Sequence, residues 1–240
     1  MEKNYFLEIF KLLTLFLSLS LITHLNASLD SRQGKKSEVA LSSLSLCAVS
    51  SAPPSCPVLM YHRVNNSHPP NDGGRVLPTE TFARQMARLR ELGFTALRAS
   101  DYLEIIEGRA KCPSKPVMIT FDDGYSDNLC EAYPLLRRYG MKATFFIVSA
   151  SIGASGHMSE KGLMRLDPSV VEIGSHTVNH RALANLPNSV LHRELKDSRL
   201  SLEFVLGRDV RAFAFPYGSF DAAALRALPE AGYELAFTSE

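Results

Sequence analysis

From residue 57 onward, short apolar runs alternate with longer segments whose apolar residues recur at helical spacing. The runs Pro57–Tyr61, Phe94–Leu97, Pro116–Phe121, Ala143–Val148, Val171–Ser175, Arg211–Phe215 and Glu234–Phe237 read as strands, mostly apolar without strict alternation, as expected of strands covered on both faces. Between them, Thr79–Leu92 places Phe82, Met86 and Leu89 on one helical stripe, and Ser189–Leu206 does the same with Leu191, Leu195, Leu202 and Val205. Such alternation predicts an α/β protein with a parallel sheet. About seven strand–helix units, with no Gly-rich first crossover and no internal repeat, fit an irregular, distorted β/α barrel of about seven parallel strands better than an open dinucleotide-binding sheet.

Candidate chemistry gathers at the predicted strand ends. Tyr61-His62 closes the first strand, Asp122-Asp123-Gly124 the third, Ser175-His176 the fifth and Phe215-Pro216-Tyr217-Gly218 the sixth. In a parallel barrel these C-terminal ends share one face, the face that carries active sites. His176 and His180, four residues apart, are predicted to project from one face of a helical turn. With a nearby carboxylate they would complete the three-ligand, open-position set of a catalytic Zn²⁺ site. Each motif alone has a bland reading: Asp-Asp-Gly and Pro-Tyr-Gly as turns, His62 as a core histidine, and the His pair as coincidence. Their convergence on one face favours a metal-dependent hydrolase. His157, in a Gly/Ser-rich loop, and His192, on a helix, are assigned to the surface.

Residues 1–56 differ in kind. The apolar stretch Leu12–Leu25 follows Lys3 and Lys11 and is short for a bilayer span but of signal-core length, although Glu2 and Glu8 weaken its positive flank. Residues 1–27 therefore read as a signal peptide or membrane anchor, residues 28–56 as a flexible linker and residues 57–240 as the catalytic domain. A second apolar run, Val39–Ala52, ends in Ser50-Ser51-Ala52 and leaves the cleavage point open. Export is expected, to a periplasmic, extracellular or membrane-anchored location, with membrane association through the N-terminal segment. The 240 residues, 45% hydrophobic, suffice for one sizeable core without a disulfide scaffold. A net charge of +1 with no basic run argues against nucleic-acid binding. Cys47, Cys56, Cys112 and Cys130 have irregular spacings unlike a metal motif; a Cys56–Cys112 bridge and free buried thiols both stay open.

Thr120-Phe121-Asp122-Asp123-Gly124, Ser175-His176-Thr177-Val178-Asn179-His180 and Phe215-Pro216-Tyr217-Gly218 together resemble the first three motifs of the polysaccharide deacetylase (NodB-homology) family. The resemblance covers residues 57–240. It implies a distorted β/α barrel and metal-dependent removal of acetyl groups from a polysaccharide. By the same resemblance, Asp122 is the catalytic base, Asp123, His176 and His180 are the ligands of a divalent metal, Zn²⁺ foremost, and the backbone N–H of Tyr217 holds the oxyanion. Two departures stand out. Ala214 occupies the place where many members carry an Arg that orients the base, and the L-x-H motif that supplies the general acid is absent after Tyr217. Leu59-Met60-Tyr61-His62 resembles the permuted arrangement of poly-N-acetylglucosamine deacetylases, which makes His62 the acid. Such relatives continue past a segment like Gly232–Thr238 with a further strand, so truncation of the domain at its C-terminus is expected.

Rival chemistries fit less well. A serine esterase would need a G-x-S-x-G elbow, which is lacking. A carboxylate-pair glycosidase would place its acids on separate strands, whereas Asp122 and Asp123 are adjacent. The remaining alternative is a glycan-binding pseudoenzyme of the same fold, to which Ala214 lends weight.

Overall fold

The computed structural model describes residues 55–66 and 75–239. The predicted leader, all but the last two residues of the predicted linker, Cys47 and residues 67–74 lie outside the described residues. Seven parallel strands form one sheet: β1 (Val58–Tyr61), β4 (Thr95–Leu97), β5 (Pro116–Phe121), β6 (Ala143–Ile147), β7 (Val171–Ser175), β8 (Ala212–Ala214) and β9 (Leu235–Phe237). A two-residue pair, β2 (Arg63–Val64) with β3 (Val76–Leu77), stands apart and is too short to have a sequence signature. Helices α1 (Thr79–Glu91), α2 (Ala99–Ile106), α3 (Tyr133–Tyr139), α4 (Glu160–Met164), α5 (Asn188–Leu206) and α6 (Ala222–Glu230) supply the crossovers. Among these, no helix is long and apolar enough to cross a membrane.

The predicted strands Pro116–Phe121 and Val171–Ser175 recur with the same bounds and the other five with one or two residues trimmed, and the order β1-β5-β6-β7-β8-β9 ends on β1 and β9 without joining them among the described residues. The barrel is thus an open half-barrel. Its irregularity has a local cause at β5. Met118 pairs with Val58 of β1 and Leu97 of β4, whereas Thr120 pairs with Met60 of β1 and Thr144 of β6. One edge of β5 therefore serves β4 along its first half and β6 along its second. Where β4 peels away, the amides at the start of α2 are taken up by the neighbouring strands: Ala99 N–H donates to Thr144 Oγ1 (2.9 Å) and Ser100 N–H to Glu172 Oε2 (2.7 Å).

Strand register sorts the side chains. Tyr61, Phe121 and Phe145 turn outward; Phe82 of α1 packs edge-on against Tyr61 at 5.1 Å and against Phe121 at 5.6 Å. Met60, Thr120, Phe146, Ala214 and Phe237 turn inward and line a cavity at the strand C-termini. Gly174 on β7 is part of that design. A Cβ there would stand 2.5 Å from the Phe146 ring and 3.0 Å from the Ala212 carbonyl oxygen, so only glycine lets Phe146 lie across β7 and reach Phe237, 5.0 Å away between ring centroids. Below the sheet, Asp101 binds Arg98 (2.7 Å) and Lys142 (3.1 Å). Burial alone would raise the Asp101 pKa, but the hydrogen bonds from Arg98 and Lys142 outweigh it and hold the carboxyl at about 2.

Gly174→Ala should lower stability by about 1–3 kcal/mol, the range for overpacking, read as a lower midpoint in urea. Asp101→Asn tests the depressed carboxyl. Because the folded pKa lies below the unfolded one, the Asp101 contribution is present above about pH 4 and is lost as pH falls toward 2. The variant should be less stable by on the order of 1–2 kcal/mol at pH 7, and the gap should shrink in chemical denaturation at pH 3 and below.

Candidate metal centre and catalytic pocket

Every functional side chain here emerges where a buried strand gives way to a turn. The cavity, about 370 Å³, is lined among others by His62, Asp122, Asp123, His176, His180 and Tyr217. All six residues singled out from the sequence therefore meet in one place.

β5 is buried along its full length, and Asp122 continues its pairing by donating its N–H to the Tyr61 carbonyl (3.0 Å). Simple strand alternation would send Asp123 to the opposite face. Instead Asp123 has φ 72°, a left-handed conformation that turns its carboxylate toward the same cavity. The two acids differ in surroundings. Burial, and then the neighbouring Asp123 charge, push the Asp122 carboxyl well above the usual range, and Asp122 Oδ1 is buried without a hydrogen-bond partner.

His176 and His180 do not sit on a helical turn, contrary to the expectation from their spacing. Residues 176–180 form an irregular loop in which Thr177 (φ 69°) and His180 (φ 56°) are left-handed. Without a helix, the loop brings His176 Nε2 to 3.7 Å and His180 Nε2 to 3.2 Å from Asp123 Oδ1. A ligand atom from each of the three residues lies within 4.8 Å of the others. Asp123 Oδ1 is itself buried and accepts no hydrogen bond. One carboxylate oxygen and two imidazole nitrogens facing a common point, one of them an orphaned buried acceptor, form a donor set that fits a divalent cation.

The two histidine ligands are held from behind. His176 Nδ1 donates to the Ala214 carbonyl (2.8 Å), which leaves Nε2 as the lone-pair nitrogen toward Asp123. Burial, offset in part by Asp123, lowers the His176 pKa to about 4, so the ring is neutral at ordinary pH and available as a ligand. His180 Nδ1 pairs with the Tyr217 hydroxyl (3.0 Å). Burial, and then the nearby Asp123 charge, raise the pKa of the Tyr125 phenol. His62 is placed by its backbone: Asn128 Nδ2 donates to its carbonyl (2.8 Å), and neighbouring Asp127 gathers Arg63 (2.8 Å) and Asn65 (2.7 Å).

Sequence reasoning missed Tyr125, the Ala214 carbonyl and Glu194. Tyr125 directly follows Gly124 of the first motif and carried no signal of its own. Ala214 acts through its backbone, which no residue identity reveals. Glu194 is buried on α5 beside the apolar stripe Leu191, Leu195 and Leu202, and an acid in that position was the available clue. His192 is on the surface as expected, facing Glu230 at 3.8 Å. His157 is only half-exposed, because its ring stacks on Tyr125 at 4.9 Å. Cys56, Cys112 and Cys130 carry free thiols.

A family model described as polysaccharide deacetylase matches residues 109–236. YxkH of Bacillus subtilis (strain 168), a protein named for the same family, is 31% identical over 188 residues, covering 78% of this chain and 66% of its own length. The poly-beta-1,6-N-acetyl-D-glucosamine N-deacetylase of Staphylococcus epidermidis (strain RP62A) is 25% identical over 90% of this chain and 79% of its own length. Among solved structures, the Streptococcus pyogenes deacetylase PplD in complex with acetate superposes with a TM-score of 0.71 at 25% identity, covering 76% of this chain and 83% of that one. The chain belongs to the polysaccharide deacetylase family.

Asp123→Asn, His176→Ala and His180→Ala should each abolish stoichiometric metal uptake in elemental analysis while keeping a cooperative unfolding transition. Tyr217→Phe removes only the hydroxyl behind His180 and should weaken metal affinity by roughly 10–100-fold, the usual cost of losing an outer partner. Asp122→Asn should retain the metal.

Proposed function

We propose that the protein removes acetyl groups from an N-acetylated polysaccharide by metal-dependent hydrolysis, with Asp122 as base, His62 as acid and Tyr217 as oxyanion donor. The observation that carries the reading is the meeting of Asp123, His176 and His180 in one cavity beside Asp122, whose buried Oδ1 has no hydrogen-bond partner. Zn²⁺ suits one carboxylate and two imidazoles, and when bound it supplies an acidified water and polarises the acetyl carbonyl.

The chain's own groups account for the proton movements. Asp122, whose carboxyl is made more basic by burial and by the neighbouring Asp123 charge, takes a proton from the attacking water in its ionised form. The backbone N–H of Tyr217, in a left-handed turn (φ 60°) at the cavity wall, donates to the oxyanion that develops on the carbonyl oxygen. His62 gives a proton to the departing amine, so the amide and water become acetate and a free amino sugar. Among the described residues no arginine stands at the position of Ala214; Arg75 is the arginine at the cavity wall.

The relatives named above point to poly-N-acetylglucosamine as the first polymer to test, and the acetate in the PplD structure is the small product such a reaction releases. The apolar segment Leu12–Leu25 after Lys3 and Lys11 supports export, where such polymers lie.

Acetate release should be measured across poly-N-acetylglucosamine, chitin oligomers, peptidoglycan and acetylated xylan, with and without a chelator. Chelator-sensitive release from an N-acetylated polymer is expected; metal and glycan binding without any release would establish the pseudoenzyme instead. His62→Ala should keep the metal and lower kcat on an N-acetyl substrate by about 10²–10⁴-fold, with a changed alkaline limb of the pH–rate profile. An aryl acetate, whose leaving group needs no proton, should be much less affected.

A further inference from the structure

We infer that Glu194 is a positioning residue for the metal centre: its carboxylate clamps the Val178–Asn179 backbone and thereby sets where His176 and His180 stand. The inference rests on the metal-centre reading above, but Glu194 touches neither the ligand atoms nor the cavity.

The loop that carries both histidines has little reason of its own to keep its shape. It is neither helix nor strand, and Thr177, a β-branched residue, is left-handed, as is His180. It is tied to β6 and the turn that follows by one amide and two carbonyls: His176 N–H donates to the Ile147 carbonyl (2.9 Å), while the Thr177 and Val178 carbonyls accept from Ser149 N–H (3.1 Å) and Ala150 N–H (3.0 Å). These bonds leave the amides of Val178 and Asn179 to be satisfied elsewhere.

Both amides donate to one oxygen. Glu194 Oε2 accepts from Val178 N–H (3.0 Å) and Asn179 N–H (2.9 Å), while Oε1 accepts from Asn179 Nδ2 (2.8 Å). Glu194 is only 3% exposed. Burying a carboxylate on the core stripe of α5 is unfavourable unless its hydrogen-bonding capacity is used, and here three N–H donors converge on it. The bonds span the segment between the two histidines, so a shift of Val178 and Asn179 moves both imidazoles. Helix α5 thus reaches the metal ligands through the loop rather than through a ligand of its own.

The test compares Glu194→Leu, which keeps the volume and removes both acceptors, with Glu194→Gln. In the Gln variant Oε1 can accept from both backbone amides, and the Asn179 amide can turn over to meet Nε2 with its oxygen. Zn²⁺ affinity is read by competition with a chromophoric chelator, and amide hydrogen exchange of the metal-free protein is followed in parallel. Glu194→Leu should bind Zn²⁺ roughly 10–100-fold more weakly and exchange the Val178 and Asn179 amides faster, with Phe145–Ile147 unchanged; Glu194→Gln should stay near wild type in both. Should Glu194→Leu not fold, Asn179→Asp sets a second carboxylate against Glu194 without altering the helix, and adding Glu194→Gln to it should restore slow exchange at Val178. Wild-type affinity in Glu194→Leu, or equal losses in the Leu and Gln variants, would overturn the inference. If the wild type itself takes up no Zn²⁺, the metal-centre reading fails, and the metal-free exchange rates still decide whether Glu194 holds the loop.

Discussion

Two carboxylates on adjacent residues at the end of a fully buried strand impose the constraint to which the rest of the site answers. Water cannot solvate both, and like charges this close oppose ionisation together. The left-handed turn at Asp123 makes matters more demanding, because it aims both acids at one cavity instead of at opposite faces. Asp122 responds with a raised pKa and Asp123 with an unpartnered oxygen facing two imidazoles. A divalent cation held by Asp123 and the histidines would relieve this arrangement electrostatically, which ties the pocket's stability to the chemistry proposed for it.

The backbone around the site is unusual in the same sense. Five described residues other than glycine have positive φ, and Asp123, Thr177, His180 and Tyr217 are four of them. Left-handed conformations of this kind cost on the order of 1–2 kcal/mol each and persist only when their surroundings hold them. The surroundings are identifiable. The loop after β7 is held by backbone bonds from the turn after β6 and by the Glu194 carboxylate, and the turn after β8 is tied to the loop through the Tyr217 hydroxyl on His180. Rigid strands beneath and left-handed turns above together aim the donor atoms.

Much of this is legible in the sequence. The strands are readable because apolar runs bounded by Pro, Gly and polar residues are a local signal; His62, Asp122, Asp123 and His176 are readable because they follow those runs directly, His180 from its four-residue spacing to His176, and Tyr217 from the Pro-Tyr-Gly motif after the sixth run. The helical turn expected from the spacing of His176 and His180 is absent, because a four-residue separation is equally compatible with a loop whose φ values change sign. The two-residue strands β2 and β3 were beyond reach, since nothing so short carries a period. The half-exposed stack of His157 on Tyr125 depends on a loop returning to a residue 32 positions earlier.

The sequence by itself determined the parallel α/β class, the alignment of four motifs along one end of the sheet and the pairing of two histidines with a nearby carboxylate, because each depends on residue type and near-neighbour spacing; the choice of Asp123 over Asp122 as the candidate ligand came from the family resemblance. Only the tertiary structure decided how those ligands are held: His176 on a carbonyl 38 residues away, His180 on a phenol 37 away, and Val178 on a carboxylate 16 away. It also decided that β4 and β6 share one edge of β5 and that the strand ladder ends open at β1 and β9. Such contacts form between segments that the chain brings together only when the core is packed, and several run through backbone atoms that every residue possesses. No pattern of side-chain identities along the chain encodes them one by one.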